Sequence, residues 1–293
     1  MPELPEVEVV RVGLDGAVVG AAVSAVDVLD ERSLCRFDGP AEEFIEQLTG
    51  RRLGHPHRRG KFLWLPLDDV PLALVGHLGM SGQLLLRRID DPLPRHLRVS
   101  LHLDTVSRGA MRLDFVDQRV FGSLALDELV PASDARERSD PLIPRAVVHI
   151  ARDPLDPLFD DDAFVAALRR KRTGIKRALL DQTLVSGVGN IYADEALWAV
   201  KLHYDRPAES LSRTTANELL AVLRAVFAKA LVEGGTSFDD QYLNVNGQAG
   251  SFVHSLNAYG RQGEPCPRCG GPIVRESFMN RGSHFCPRCQ RPI

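Results

Sequence analysis

An α+β architecture in two domains is predicted by three features of this sequence. A helical apolar repeat at the N-terminus gives way at Gly20 to short strand-like runs. Prolines and charges crowd the stretch between Pro131 and Pro157, and beyond it helical periodicity returns and ends in two CxxC pairs. The layout read from these is an N-terminal helix with a β-sandwich over 1–131, a linker over 132–156, a mainly helical domain over 157–260 and a zinc finger over 261–293. With 293 residues, 44% of them hydrophobic, the chain can build two cores of ordinary size.

Pro5 suits the first turn of a helix, and Val7, Val10, Leu14 and Val18 follow at helical spacing. From about Ala22 to Leu126 the pattern becomes alternating or apolar runs, among them Ala22–Leu29, Phe62–Leu67, Leu72–Leu78, Leu97–Leu103 and Met111–Val116. Gly, Pro and Asp separate them, as in a β-sandwich. Past the break, Asp160–Arg170, Gly174–Leu184, Ile191–Val200 and Ser212–Glu233 are predicted helices, the last capped by Ser212.

A net charge of -3 hides an uneven distribution. Arg51 to Lys61 holds five basic residues and no acid, Arg169 to Arg177 six and none, and Arg261 to Ile293 six Arg against two Glu. Three such segments suit a polyanion, whose counterions they would release; the alternative for any one run is a solvated surface. No apolar run is long enough for a transmembrane helix, and no basic-then-apolar signal opens the chain, so a cytoplasmic protein is expected; a nucleoid-associated monomer is the accompanying expectation.

Of the five cysteines, Cys266, Cys269, Cys286 and Cys289 form two CxxC pairs 16 residues apart. Four thiolates at this spacing fit one structural zinc with no open coordination position, against the alternatives of a redox dithiol or disulfides. Cys35 stands apart and is expected to be buried and inert. Between the pairs, Phe278 to Phe285 reads as a hairpin with Arg281 near its tip, placed for a phosphate or for solvent.

The chain opens Met1-Pro2-Glu3-Leu4-Pro5-Glu6. Loss of Met1 would expose a secondary amine with Glu3 and Glu6 close by. An α-amine titrates near ~7.7–8.0, so roughly a tenth is neutral at pH 7, and it is a readier nucleophile than lysine at ~10.4. Gly187-Val-Gly189-Asn190 joins two helical patterns; it is either a plain connecting turn or a backbone cradle for an anion, with Lys171 and Lys176 just upstream. Gly76 to Gly82 is a glycine-rich loop with Met80 at its centre, and Asp117-Gln-Arg119-Val-Phe121-Gly122 adds a cation and a ring. Met80 and Phe121 are either core or apolar wedges that enter DNA where a base has left the stack.

Taken together, and in this order, Pro2 to Glu8, Arg59-Gly60-Lys61, His77 to Gly82, Asp117 to Gly122, Gly187 to Tyr192, Tyr259-Gly-Arg261 and the terminal cysteines resemble the formamidopyrimidine-DNA glycosylases. The resemblance spans almost the whole chain. It implies a helix–two-turn–helix DNA-binding domain over 157–260, DNA in a cleft, and excision of oxidised purines followed by cleavage of the abasic strand. It makes Pro2 the nucleophile, Glu3 the acid that protonates the opening sugar, Glu6 a support for the amine and Lys61 a holder of the adjacent phosphate. His77, His96, Lys171, Lys176, Asn190 and Arg281 correspond to DNA-backbone contacts, and Met80, Arg119 and Phe121 to the side chains that fill the gap. Two stretches depart from the family pattern: Phe238 to Gly247, in the loop that shapes lesion preference, and Val120, where a second basic residue is common. Competing readings are a glycosylase of the same fold for oxidised pyrimidines and an inactive zinc protein that binds DNA. Leu4, the Met80 loop and Arg119–Phe121 favour the purine branch, and Pro2, Glu3 and Lys61 speak for activity.

Overall fold

The computed structural model describes residues 2–135, 137, 141–236 and 245–292. The chain divides into two compact units, one of residues 1–149 and 234–250, the other of 150–233 and 251–293. Residues 234–236 and 245–250, expected in the helical domain, thus belong to the first unit, and the cysteine-rich end belongs to the second.

The first unit opens with α1 (Leu4–Val18), with Pro5 in its first turn. Two antiparallel sheets follow. One has the order β1-β6-β7-β5, built from β1 (Ala22–Val28), β5 (Gly82–Arg88), β6 (Leu97–Thr105) and β7 (Gly109–Asp117). The other runs β2-β3-β4-β8-β9, from β2 (His57–Arg59), β3 (Phe62–Pro66), β4 (Leu72–His77), β8 (Ser123–Val130) and β9 (Ile143–Pro144). Inward residues of both sheets, including Leu65, Leu74, Leu101, Phe115 and Leu126, share one core with Val7, Val10 and Leu14 of α1. The predicted sandwich and helix are therefore present.

Two expectations need correction here. Ala41–Leu48, inside the stretch read as strands, is a helix, α2: Ala41, Phe44, Ile45 and Leu48 recur at i, i+3, i+4 and i+7, and Phe44 and Leu48 are buried in the core. The stretch read as a linker is partly structured, since Ile143–Pro144 pairs with Leu129–Val130 at the sheet edge.

In the second unit, α3 (Asp161–Leu168), α4 (Ile175–Leu179), α5 (Asn190–Ala199) and α6 (Arg213–Val232) match the four predicted helices. Ser212 caps α6, its Oγ accepting from the Thr215 N–H at 3.0 Å. α4 stops short of the expected Leu184. The Asp181 carboxylate takes the Thr183 N–H at 3.0 Å, and Gln182 donates to the Leu180 carbonyl at 3.0 Å, so local side-chain bonds outcompete the helix. A hairpin of β10 (Val274–Phe278) and β11 (Arg281–Phe285) ends the unit. No helix among the described residues is long and apolar enough to cross a membrane.

Candidate active site and nucleic-acid interface

Pro2 is buried at the start of α1, and the next residue, Glu3, is the helix N-cap with 1% of its surface exposed. A capping box forms: the Glu3 side chain accepts an N–H of the first turn, and Glu6 Oε2 accepts the Glu3 N–H at 2.9 Å. The other oxygen of Glu6 accepts the Thr236 N–H at 2.7 Å. Gly235, at φ +85°, allows this approach, because a Cβ there would stand 3.2 Å from Glu6 Oε1. The returning segment also meets α1 at Gly13, where Val245 occupies the space of an absent side chain. Most of the loop expected to shape lesion preference, residues 237–244, lies outside the described residues.

Lys61 sits in the two-residue turn between β2 and β3. Gly60 has φ +58°, as the first central position of a II′ turn demands, and Arg59 pairs with Phe62. This turn is tied to α1: Arg58 bonds Glu8 at 2.8 Å and the Gly60 carbonyl at 3.1 Å. Burial raises the Glu8 pKa, but the hydrogen bonds and charges of Arg11 and Arg58 outweigh it and hold the carboxyl below its usual range.

Phe62 pairs across the sheet with His77, the two rings 4.8 Å apart. His77 Nδ1 accepts the Gly79 N–H at 3.2 Å, which leaves the ring proton on Nε2. Burial, and then the charges of Arg36 and Lys61, push its pKa down to about 4. Beyond it, Met80 is 38% exposed and Phe121 54% exposed, with the Arg119 guanidinium 4.9 Å over the Phe121 ring. Both apolar side chains thus face outward rather than into the core. His96, at φ +65°, gives its carbonyl to the Asp117 N–H at 3.0 Å and so abuts the second loop. Pro2, Glu3 and Glu6 therefore lie together at the start of α1, His77 ends β4, and Met80, His96, Arg119 and Phe121 lie on loops of the same unit.

In the second unit, Asn190 is the first residue of α5 and donates through Nδ2 to the Gly282 carbonyl at 3.0 Å. Gln182 organises the preceding turn, accepting the Gly187 N–H at 2.9 Å and donating to the Val188 carbonyl at 2.9 Å. Lys171 is half-exposed and paired with Asp181 at 2.7 Å. Lys176 corrects an expectation. It is 0% exposed, its ammonium 2.6 Å from Asp194 and 3.0 Å from Ser283 Oγ, so it welds α4 to α5 and β11 and cannot present its charge to a ligand. Arg281 is exposed and directly follows a two-residue turn in which Met279 and Asn280 both have positive φ, as a I′ turn requires.

The thiolates of a tetrahedral zinc, ~2.3 Å from the metal, stand about 3.8 Å apart. The Sγ atoms of Cys266, Cys269, Cys286 and Cys289 all lie within 4.8 Å of one another, so the donor set fits one structural zinc. Gln290, missed in the sequence, supports it: its side chain accepts the Cys286 N–H at 2.9 Å and donates to the Leu202 carbonyl at 2.8 Å. Glu195 was missed too, and it gathers the N–H groups of Asn257, Ala258 and Tyr259 within 2.9 Å. Neither carries a local motif that would mark it. Cys35 is exposed, against expectation, because it follows a short 3-10 turn on the surface.

Known proteins are similar to this chain over nearly its whole length. The family profile of the formamidopyrimidine-DNA glycosylase N-terminal domain matches residues 1–124, that of the H2TH domain of the same enzymes residues 150–241, and that of the zinc finger found in FPG and IleRS residues 263–292. Formamidopyrimidine-DNA glycosylase of Leifsonia xyli subsp. xyli is 60% identical over 99% of this chain and its own full length, and that of Streptomyces coelicolor 53% identical over 100% and 98%. The crystal structure of Lactococcus lactis Fpg with DNA containing an abasic site superposes with a TM-score of 0.83 at 31% identity, covering 99% of this chain and all of that one. The chain belongs to the formamidopyrimidine-DNA glycosylase family.

Proposed function

We propose that this protein is a bifunctional DNA glycosylase and abasic-site lyase. In this reading it removes oxidised purines, 8-oxoguanine and formamidopyrimidines, from duplex DNA and cuts the strand by β,δ-elimination through a Schiff base on Pro2. The observation that carries the reading is the start of α1, where Pro2 adjoins a buried Glu3 whose N–H is held by Glu6. With Met1 removed, the Pro2 nitrogen is a secondary amine that attacks the sugar C1′ as the base leaves with the glycosidic electron pair. Glu3 protonates the ring oxygen as the sugar opens, which leaves an iminium. That cation acidifies the C2′ proton, whose loss expels the 3′ phosphate; loss of the C4′ proton from the conjugated iminium then expels the 5′ phosphate.

Lys61 holds the phosphate beside the lesion. His77, His96, Asn190 and Arg281 contact the backbone, and Lys171 reaches it from its pair with Asp181. Met80, Arg119 and Phe121 fill the space that the everted nucleotide leaves. The four cysteines hold zinc, which shapes the hairpin that carries Arg281 and takes no part in the chemistry.

Borohydride should cross-link the protein to lesion DNA, and Pro2→Gly or a form retaining Met1 should trap less than wild type; trapping equal to wild type in both would move the nucleophile elsewhere. Lactococcus lactis Fpg has also been crystallised with DNA containing an oxidised pyrimidine. Duplexes carrying 8-oxoguanine, a formamidopyrimidine and an oxidised pyrimidine therefore belong in one assay, with the fastest excision expected for the two purines.

A further inference from the structure

The loops that carry Met80 and Phe121 share one buried carboxylate. Asp117, the last residue of β7, is 0% exposed. Its Oδ1 accepts from the Ser81 hydroxyl and from the Arg119 N–H at 3.1 Å, and its Oδ2 accepts the Gly122 N–H at 2.7 Å. Ser81 follows Met80, and Arg119 and Gly122 bracket Val120 and Phe121, so this one group closes both loops on each other. Its own backbone is pinned as well, the carbonyl taking Arg98 Nε at 2.7 Å.

The loops touch main chain to main chain. A Cβ on Gly79 would lie 2.4 Å from the Phe121 carbonyl carbon, and one on Gly122 would lie 2.8 Å from the His77 carbonyl oxygen. Between them, Val120 adopts φ +54°, a left-handed conformation that a β-branched residue avoids unless its surroundings impose it. Left alone, an apolar Met and Phe at the surface would fold down and the Val120 backbone would relax. The bonds to Asp117 oppose both.

We propose that Asp117 is a positioning residue for base eversion: it locks the Met80 and Arg119–Phe121 loops into a single preformed wedge, so that both side chains enter the duplex together. This rests on the reading that those side chains fill the gap. Rigidity matters because a loop ordered only on binding spends part of the binding free energy on its own ordering.

The test is Asp117→Asn, which keeps shape but turns one acceptor into a donor facing an N–H. Single-turnover excision of a lesion from duplex DNA should fall about tenfold, the effect of one buried donor left unpaired at the barrier. Strand cleavage at a preformed abasic site, which has no base to unstack, should change less than about threefold. Ser81→Ala should shift the ratio of the two rates in the same direction, and it serves if Asp117→Asn does not fold. An unchanged ratio in Ser81→Ala together with equal loss of both rates in Asp117→Asn would overturn the proposal and make Asp117 merely structural. Met80→Ala and Phe121→Ala report on the underlying reading. If they slow excision while neither Asp117→Asn nor Ser81→Ala does, the wedge stands and its coupling through Asp117 fails. If they leave excision intact, the wedge reading itself falls.

Discussion

Glu6 accepts a hydrogen bond through Oε1 from the backbone N–H of Thr236, 2.7 Å away and 230 residues later in the chain. Its other oxygen holds the N–H of Glu3, so one buried carboxylate ties the returning segment to the start of α1. Glu6→Gln must leave one of these donors facing an amide N–H, an unpaired buried group that costs about 1–3 kcal/mol. Denaturant unfolding should show that loss, and borohydride trapping at Pro2 should fall with it. Gly235→Ala forces a side chain into φ +85° against Glu6 and should cost about 1–2 kcal/mol by the same measurement.

Glu3→Gln should abolish excision yet keep lesion-duplex affinity within about threefold, because the amide retains size and polarity but no longer delivers a proton. A titration beside a single-turnover assay separates the two. Matching losses in both would assign Glu3 to the helix cap alone.

His77 and Lys61 should differ in how salt affects them. The low pKa of His77 keeps it neutral at physiological pH, so in the proposed role it would donate to phosphate without neutralising charge. Lys61→Ala should therefore flatten the slope of log K against log salt by about one unit, while His77→Gln weakens binding with the slope intact. The pH sign follows from the same group. Its folded pKa lies below the unfolded value of 6.5, so the unfolded chain binds the extra proton between about pH 4 and 6.5. Its contribution to stability falls as pH drops through that window, and His77→Gln should remove this component from a pH series of melts.

Lys176→Met should act on stability and leave the salt slope unchanged. It strands Asp194 without its counter-charge at a site with no exposure, a loss of about 3–5 kcal/mol. A flattened slope in a variant as stable as wild type would return Lys176 to the DNA interface.

Chelation, or Cys286→Ser, should unfold the β10–β11 hairpin and lower DNA affinity, whereas Arg281→Ala should keep zinc and fold yet bind lesion DNA more weakly. Zinc content measured beside duplex affinity decides this. Full affinity in zinc-free protein would remove the module from recognition.

Local chemistry made much of this protein legible from sequence. Pro5 in a first turn, the Ser212 cap and the spacing of the CxxC pairs each act over a short stretch, so spacing alone carried them. The alternating runs likewise announced β1, β3, β4, β6 and β7, because side chains on a strand alternate between the core and the opposite face. α2 was hidden, its eight residues too short to stand out inside a β region.

What only the tertiary structure decided was which charges face water and which are consumed inside. Lys171 and Lys176 lie in one basic run, yet the first is half-exposed and the second has 0% exposure, because α4 turns Lys176 toward Asp194 and Ser283, residues brought to it from α5 and β11. Met80 and Phe121 were open between core and wedge for the same reason: side-chain type fixes what a residue prefers, not which way its loop is held. The buried carboxylate of Asp117, joining Ser81 to Gly122 across two loops, holds them outward. No run of neighbouring residues encodes such a contact, since it exists only once the strands have paired.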